Sequence, residues 1–372
     1  MEQPRRSCSG DEQAVGHNGE QGPELGLASS KYGCHPWRDA SWELLSDSPR
    51  MYQCREFLTT DECEAVIRIA QTKLDAGDVS KGFTATSCCK RRVDLEPQDD
   101  ELAADDAALL RSIDRRVAAL CGVRMHGDEQ SWAVHLTPAQ DAAGNCSQFP
   151  HGLHVDTNNG QDSRWVTFII YLRTVPIVSG GQTIFPLAAR HERSDSCPDT
   201  HGDLLDASAL LLKHGMHHTG RKEDLDLPWR PEGTAAAAAQ LLQQAESVAV
   251  AAADAAVEDP AWWSPDGVGV AVPAEIGSCL AFFTRSAGSH GQVDLRSWHG
   301  GAAVSASGGT KWTLQKFRSV PVSELRRCLP NCGSVEASTQ DFASRHSVLH
   351  PCCGGGVRFE VDAPRSEKFA VR

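Results

Sequence analysis

The sequence predicts an α+β fold in which two helices come first and an antiparallel sheet follows. Two observations support this prediction. The chain before about residue 130 carries two amphipathic helical patterns, and the pattern beyond that point changes to short runs rich in β-branched and aromatic residues. Helices segregated from a series of strands are typical of α+β proteins rather than of alternating α/β proteins.

The two helices can be placed by their boundaries and their apolar faces. Thr59 followed by Glu62 is a capping box, which marks a helix N-terminus. The apolar face of this first helix consists of Ala65, Val66, Ile69 and Ala70. The second helix runs through DDAALLRSIDRRVAALCG, with Gly122 as its predicted stop. Its apolar stripe is Leu109, Ile113, Val117 and Leu120.

The strands follow as SWAVHL, LHVDT, RWVTFIIYL and GGQTIFP, and later as VPAEIGSCLAFFT and KWTLQKF. The run 166–172 is short, β-branched and aromatic, as a buried strand is. Gly180 and Gly181 predict a tight turn into the next strand.

Composition divides the chain into four parts. Residues 1–40 are rich in Gly, Ser, Glu and Gln, which predicts a disordered segment. A folded domain that carries the active site is expected over 50–320. Within it, 188–268 is polar, then His-rich, then alanine-rich, and it is interpreted as a partly helical insertion that is disordered or accessory. A Cys-rich tail occupies 321–372.

Composition also restricts partners and location. The net charge of -13 argues against a nucleic-acid partner, because such proteins usually carry a basic patch. No run of 18 apolar residues is present, so no membrane span is expected. The first 21 residues lack the apolar stretch of a secretory signal. We therefore expect a cytoplasmic or nuclear protein whose 14 cysteines are mostly reduced.

Three His-x-Asp triplets raise the question of a metal site: 126–128, 154–156 and 201–203. The first sits in a predicted turn and the third in the irregular insertion. The second is followed, after a short loop, by 166–172, the clearest predicted strand of the chain. Residues i and i+2 of a strand point to the same face. Non-haem iron sites use two histidines and one carboxylate on one side of the metal. His154 and Asp156 would supply two of these, and a distant histidine the third.

These motifs in order (HVD, GGQTIFP, GSCLAFF, DLRSWHGG and KW) resemble the iron(II)- and 2-oxoglutarate-dependent oxygenases. The likeness is to the prolyl 4-hydroxylase catalytic-domain branch and covers roughly 50–187 and 272–320. The resemblance implies a double-stranded β-helix, or jelly-roll, core with supporting N-terminal helices. It implies that His154, Asp156 and His299 bind Fe(II) and that Lys311 pairs with the far carboxylate of 2-oxoglutarate. O2 as cosubstrate and L-ascorbate as a reductant are implied in the same way.

Strand alternation supports the assignment of Lys311. In KWTLQKF, Lys311 shares a face with Thr313 and Gln315, whereas the rival cation Lys316 falls on the opposite face with Trp312. Lys311 and Thr313 are therefore the expected 2-oxoglutarate-binding residues, since a cation beside hydrogen-bonding groups suits a dicarboxylate. The alternative reading is a solvated lysine on an edge strand.

Two features complicate these assignments. His290, in a Gly- and Ser-rich stretch, is the rival third ligand to His299. The family usually has a cosubstrate-binding tyrosine on the strand before His-x-Asp, and by position this sequence has Leu136 there. Another group is therefore expected to take that role.

The expected activity is hydroxylation of a peptidyl residue such as proline, with release of succinate and CO2. A small-molecule oxygenase is one alternative. The other is a degenerate oxygenase fold that binds partners through a zinc module in the tail, because Cys328, Cys332, His346 and His350 have the spacing of a two-Cys, two-His zinc site.

Overall fold

The protein is described here from a computed structural model. The described residues are 42–77, 91–121, 129–140, 149–150, 152–157, 164–190, 202–214, 231–255, 261–285 and 293–319. The predicted disordered segment 1–40 and the tail 321–372 lie outside them. No described helix is both long enough and apolar enough to cross a bilayer.

The described part of the chain contains eleven strands and four helices, in the order ββα, βα, βββ, αα, βββββ. The strands are β1 (Glu43–Ser48), β2 (Arg50–Cys54), β3 (Arg91–Leu95), β4 (Trp132–Thr137), β5 (Arg164–Tyr171), β6 (Thr183–Arg190), β7 (Trp262–Trp263), β8 (Val268–Val272), β9 (Cys279–Phe283), β10 (Gly300–Gly301) and β11 (Lys311–Ser319). The helices are α1 (Thr60–Asp75), α2 (Ala104–Cys121), α3 (Gly202–Lys213) and α4 (Thr234–Asp254).

All strands belong to one antiparallel sheet with the order β3-β4-β11-β5-β9-β2-β1-β6-β8-β7, and β10 pairs with β6. The two halves of this sheet face each other. Phe282 of β9 and Phe185 of β6 meet edge to face with ring centroids 4.9 Å apart, inside a core that also holds Met51 of β2 and Val270 of β8. The α+β class is confirmed, and the folded-over sheet has the jelly-roll form that the resemblance implied.

Helices α1 and α2 cover the outer face of the first half of the sheet, as their apolar stripes predict. The predicted faces are buried against outward-facing residues such as Val134 and Leu314. The capping box is confirmed, because the Thr59 side chain accepts from the Glu62 amide and Glu62 accepts from the Thr59 amide.

The two helices are locked together by a buried ion pair. Both terminal nitrogens of Arg116 donate to the Glu62 carboxylate, and one of them also donates to the Phe57 carbonyl. Both side chains are almost fully buried. A buried guanidinium without its partner is costly, so Glu62 is expected to stabilise both the cap and the helix pair.

Replacing Glu62 by glutamine should therefore lower the free energy of unfolding by about 3–5 kcal/mol. Denaturant unfolding monitored by circular dichroism measures this change. Asp61, which is exposed in the same first turn, is the matched control, and Asp61→Asn should cost less than about 1 kcal/mol. Equal losses in the two variants would contradict the role of the buried pair.

The segment 188–268, expected to be partly helical, contains the end of β6, helices α3 and α4, and β7. The alanine tract buries a full face, because small side chains allow close approach at helical spacing. Ala238, Leu241, Ala245 and Ala249 are buried in a core that includes Trp298. The Trp298 indole also donates to Ser208 of α3 at 2.8 Å. Both helices are thus joined to the residue that precedes His299.

Candidate metal centre and its pocket

The structure brings together, from distant parts of the chain, three side chains that could hold a metal ion. His154, Asp156 and His299 each offer one ligand atom, and these atoms lie within 4.8 Å of one another. Oδ1 of Asp156 is 3.5 Å from Nε2 of His154 and 3.7 Å from Nε2 of His299. In the described part of the chain, this is the one group of three such residues placed to hold a metal ion.

The backbone fixes the distance between the two histidines. The His154 amide donates to the His299 carbonyl and the His299 amide donates to the His154 carbonyl, both at 3.0 Å. Gly300 makes this bridge possible. A Cβ at that position would lie 2.9 Å from the Gly152 carbonyl oxygen, closer than real Cβ contacts.

The prediction that LHVDT forms a regular strand is wrong. His154 forms only an isolated bridge with His299, and Asp156 itself lies in a turn. Pairing stops on both sides for identifiable reasons. Gly152, with φ of 65°, turns the chain before the bridge, and the Asp156 carbonyl accepts from Arg164 instead of from a strand, at 3.0 Å. The two ligands still converge, but through turns and not through strand alternation.

Each buried ligand is oriented by a hydrogen bond at its non-ligand atom. Nδ1 of His299 lies 3.0 Å from the Ser297 carbonyl oxygen, so this nitrogen donates and Nε2 is the metal-facing atom. The Thr167 hydroxyl donates to Oδ2 of Asp156 at 2.6 Å, which leaves Oδ1 directed at both histidines. Burial raises the pKa of Asp156, but His299, His154 and Arg164 together lower it overall. The carboxylate is thus held ionised, as a ligand must be.

Thr167 should matter for metal affinity although it is not itself a ligand. It is fully buried, so Thr167→Val keeps its shape and removes one hydrogen bond. We expect divalent metal to bind about 10–100-fold more weakly, the usual effect of losing a partner behind a ligand. Titration with Co(II), followed by its visible absorption, measures this affinity. Thr167→Ser should restore it, and unchanged affinity in the valine variant would contradict the role.

Aromatic rings enclose one side of the centre. The Phe185 ring stacks on His299 at 5.3 Å and 21°, and Phe282 meets it at 4.7 Å and 61°. The side chains of Asp156 and His299 are 2% and 3% exposed, whereas that of His154 is 26% exposed. The centre therefore opens to solvent on the His154 side.

The candidate pocket is defined by the three possible metal ligands at one end and by Lys311 at the other. Lys311 is buried, and its Nζ is 5.5 Å from the centroid of the Tyr171 ring. The Tyr171 hydroxyl donates to Thr183 at 2.8 Å, and burial raises the pKa of Tyr171, so the phenol stays protonated. Gly301, two residues beyond His299 in the chain, lies between the metal centre and the Lys311 end of the pocket. It pairs with Thr183, and a Cβ on it would lie 3.7 Å from Lys311 Nζ.

Tyr171 and Thr183 were missed by the sequence reasoning. The available signal was strand alternation along β5, since Thr167, Ile169 and Tyr171 share one face, and Thr167 faces the metal centre. Pairing in register places Thr313 directly opposite Tyr171 on this face. Thr313 is half-buried on this face, and its binding of 2-oxoglutarate stays a prediction.

Leu136 does not face the pocket. Its side chain lies in the core on the helix side, because the inner face of β4 is formed by the alternate residues. Register places His135 opposite Thr313 and Thr137 opposite Lys311. The rival cation Lys316 is also on the helix side, where Nζ donates to the Gln130 carbonyl at 2.8 Å and lies 5.5 Å from the Trp132 ring centroid.

Several sequence-predicted candidates cannot be placed. The triplet at 126–128, His201, the rival ligand His290 and the tail residues Cys328, Cys332, His346 and His350 lie outside the described residues. Asp203, the described member of the third triplet, is exposed in the first turn of α3.

Comparison with known proteins adds fold-level similarity only. No protein-family model matches the chain, and no curated protein matches its sequence. Among solved structures, a prolyl-4-hydroxylase from Pseudomonas putida is 14% identical, with a TM-score of 0.36, over 73% of this chain and 92% of that one. The viral collagen prolyl hydroxylase of Paramecium bursaria Chlorella virus-1 is 12% identical, with a TM-score of 0.36, over 73% and 96%.

A third similar structure is the epimerase SnoN in complex with Fe3+, alpha ketoglutarate and nogalamycin RO. It is 14% identical, with a TM-score of 0.37, over 77% of this chain and 88% of that one. All these TM-scores lie below 0.5. The function proposed below therefore rests on the side chains of this chain.

Proposed function

We propose that this chain is an iron(II)- and 2-oxoglutarate-dependent dioxygenase that hydroxylates a peptidyl residue, with proline as the first candidate. The observation that carries the proposal is the converging set His154, Asp156 and His299. Two imidazoles and one carboxylate on one side of an ion are the ligand set of non-haem iron(II) oxygenases, which need the remaining positions open. The hydrogen bonds at Nδ1 of His299 and Oδ2 of Asp156 fit this use.

The second half of the pocket suits a dicarboxylate. Gly301 is two residues along an extended chain from His299, a separation of roughly 7 Å, and Lys311 Nζ approaches this glycine. A five-carbon diacid such as 2-oxoglutarate fits between a metal at one end and an ammonium at the other. The Tyr171 hydroxyl can donate to the far carboxylate if it turns its single proton away from Thr183, whose own hydroxyl then donates to the phenol oxygen.

When bound, Fe(II) and 2-oxoglutarate supply the oxidising chemistry. O2, 2-oxoglutarate and a substrate C–H bond give succinate, CO2 and the hydroxylated substrate. The residues of this chain bind and orient. Lys311 fixes the far end of the diacid, and Phe185 and Phe282 keep water from the buried side of His299. The substrate approaches from the open side, past His154. L-Ascorbate as a reductant stays a prediction from the sequence resemblance.

The test is succinate formation from 2-oxoglutarate by the purified full chain with added Fe(II), followed by a screen of proline-containing peptides. Iron-dependent succinate is expected, and it should be lost in His154→Ala. The absence of both succinate and tight iron binding in the unaltered chain would contradict the proposal. If small molecules but not peptides enhanced turnover, the proposed peptidyl substrate would be wrong and the dioxygenase activity would stand.

A further inference from the structure

A row of polar side chains extends from the pocket to the edge of the sheet. Pairing in register places Thr313 opposite both Tyr171 and His135, and His135 opposite Arg92. All four therefore point to the same, inner face of β5, β11, β4 and β3. β3 is the last strand of the sheet on this side among the described residues.

The two faces of these strands differ in chemistry. On the outer face, Val93, Val134 and Leu314 are completely buried under the helices. On the inner face, Arg92, Asp94 and Thr313 remain partly exposed. A polar, partly open surface that continues directly from the pocket is where a substrate larger than the pocket would lie.

Arg92 carries a donor pair suited to a carboxylate. Its Nε donates to Asp94 at 2.7 Å, and the Arg92 side chain makes no other hydrogen bond or ion pair within the described ranges. Its two terminal nitrogens, which together can bind a carboxylate in a bidentate manner, therefore make no hydrogen bond to the described residues. Arg92 also lies close enough to Arg164 to contribute, after burial, to lowering the Arg164 pKa. Two guanidinium groups are thus close to each other here, in a chain of net charge -13.

The width of the surface argues for a peptide. Arg92 belongs to the row of Tyr171 and lies three strand spacings from β5, about 14 Å across the sheet. Thr167, which holds Asp156, is four residues away along β5. A small molecule reacting at the metal does not reach that far, whereas an extended peptide spans such a distance with several residues.

We propose that Arg92 is a specificity-determining residue that binds an acidic side chain of an extended peptide substrate. The acidic residue lies several residues from the one that is oxidised. This inference rests on the proposed function and deepens it.

The experiment measures peptide binding directly, so that it does not depend on turnover. Fluorescein-labelled peptides with one central proline carry a single Asp, Lys or Ser at each position two to six residues away on either side. Fluorescence anisotropy gives their Kd for the full chain loaded with Mn(II) and 2-oxoglutarate without O2. An Asp at one of these positions, on one side only, should improve binding about tenfold over Lys or Ser. Arg92→Gln should remove this preference.

Two further variants keep the proposal falsifiable. Arg91, the exposed neighbour, pairs in register with the outward-facing Leu136, so Arg91→Gln should keep the preference for Asp. Arg92→Lys should keep part of it, because lysine retains the charge but lacks the bidentate donor pair. Equal binding of Asp and Lys peptides by the unaltered chain, or equal effects of Arg91→Gln and Arg92→Gln, would overturn the inference. Failure of the dioxygenase proposal is seen separately, as absence of iron-dependent succinate.

Discussion

Replacing His299 by alanine should weaken the binding of Fe(II) or Co(II) more than about 100-fold, beyond the loss expected for any residue behind a ligand. His299 is the most constrained of the three ligands. Its amide and carbonyl bridge to His154, its Nδ1 donates to the Ser297 carbonyl, and its ring packs against both Phe185 and Phe282. Because the backbone bridge survives the substitution, the fold should persist while the metal site is lost. Metal titration together with thermal melting measures both quantities.

His214 is the matched control for this experiment. It is exposed at the end of α3, so His214→Ala should leave metal affinity unchanged. If His299→Ala retained metal binding, the third ligand would have to be sought elsewhere, and the proposed oxygenase chemistry would lose its basis.

Lys311→Met should raise the Kd for 2-oxoglutarate by about 100-fold, because a charge-assisted contact with a buried ammonium is lost. Methionine keeps the length and the packing of the stem. Tyr171→Phe removes one neutral hydrogen bond and should raise the Kd by about tenfold or less. Calorimetric titration of the Mn(II)-loaded chain with 2-oxoglutarate measures both effects.

Lys316 provides the informative comparison for Lys311. Its ammonium is also buried, but it binds the Gln130 carbonyl and lies 3.6 Å from Asp114 on the helix side. Lys316→Met should therefore lower the free energy of unfolding and leave the Kd for 2-oxoglutarate unchanged. The opposite pattern in the two variants would show that the wrong lysine had been assigned to the pocket.

Local sequence patterns were enough to predict those parts of the fold that depend on residues close together in the chain. The capping box at Thr59 is formed by residues three apart, so it can be read from the sequence. Strand alternation likewise separated Lys311 from Lys316, because KWTLQKF is a regular strand whose period is two. The grouping of His154, Asp156 and His299 needed the resemblance as well, since no local rule connects residues so far apart.

Local sequence patterns failed where the structure depends on contacts between residues far apart in the chain. The stretch around His154 contains the residues of a strand, but Gly152 and Arg164 end its pairing after a single bridge. Tyr171 was overlooked because its role depends on Lys311 of the neighbouring strand β11 and on Thr183 of β6, which approaches it only when the sheet folds over. The burial of the alanine face of α4 depends on close approach to other elements, which composition alone does not reveal.

The reciprocal bridge between His154 and His299 has a consequence for how the protein folds. The two residues are 145 positions apart (299 − 154 = 145), so an unfolded chain has no preformed site for a metal. The ligands meet only after the sheet has closed, and the metal then stabilises the closed chain by mass action, by about 2.7 kcal/mol at a concentration 100 times its Kd. A slip of one residue in strand pairing would turn inward-facing groups such as Thr167 and Lys311 outward. Metal binding therefore reports whether the sheet has closed in its correct register.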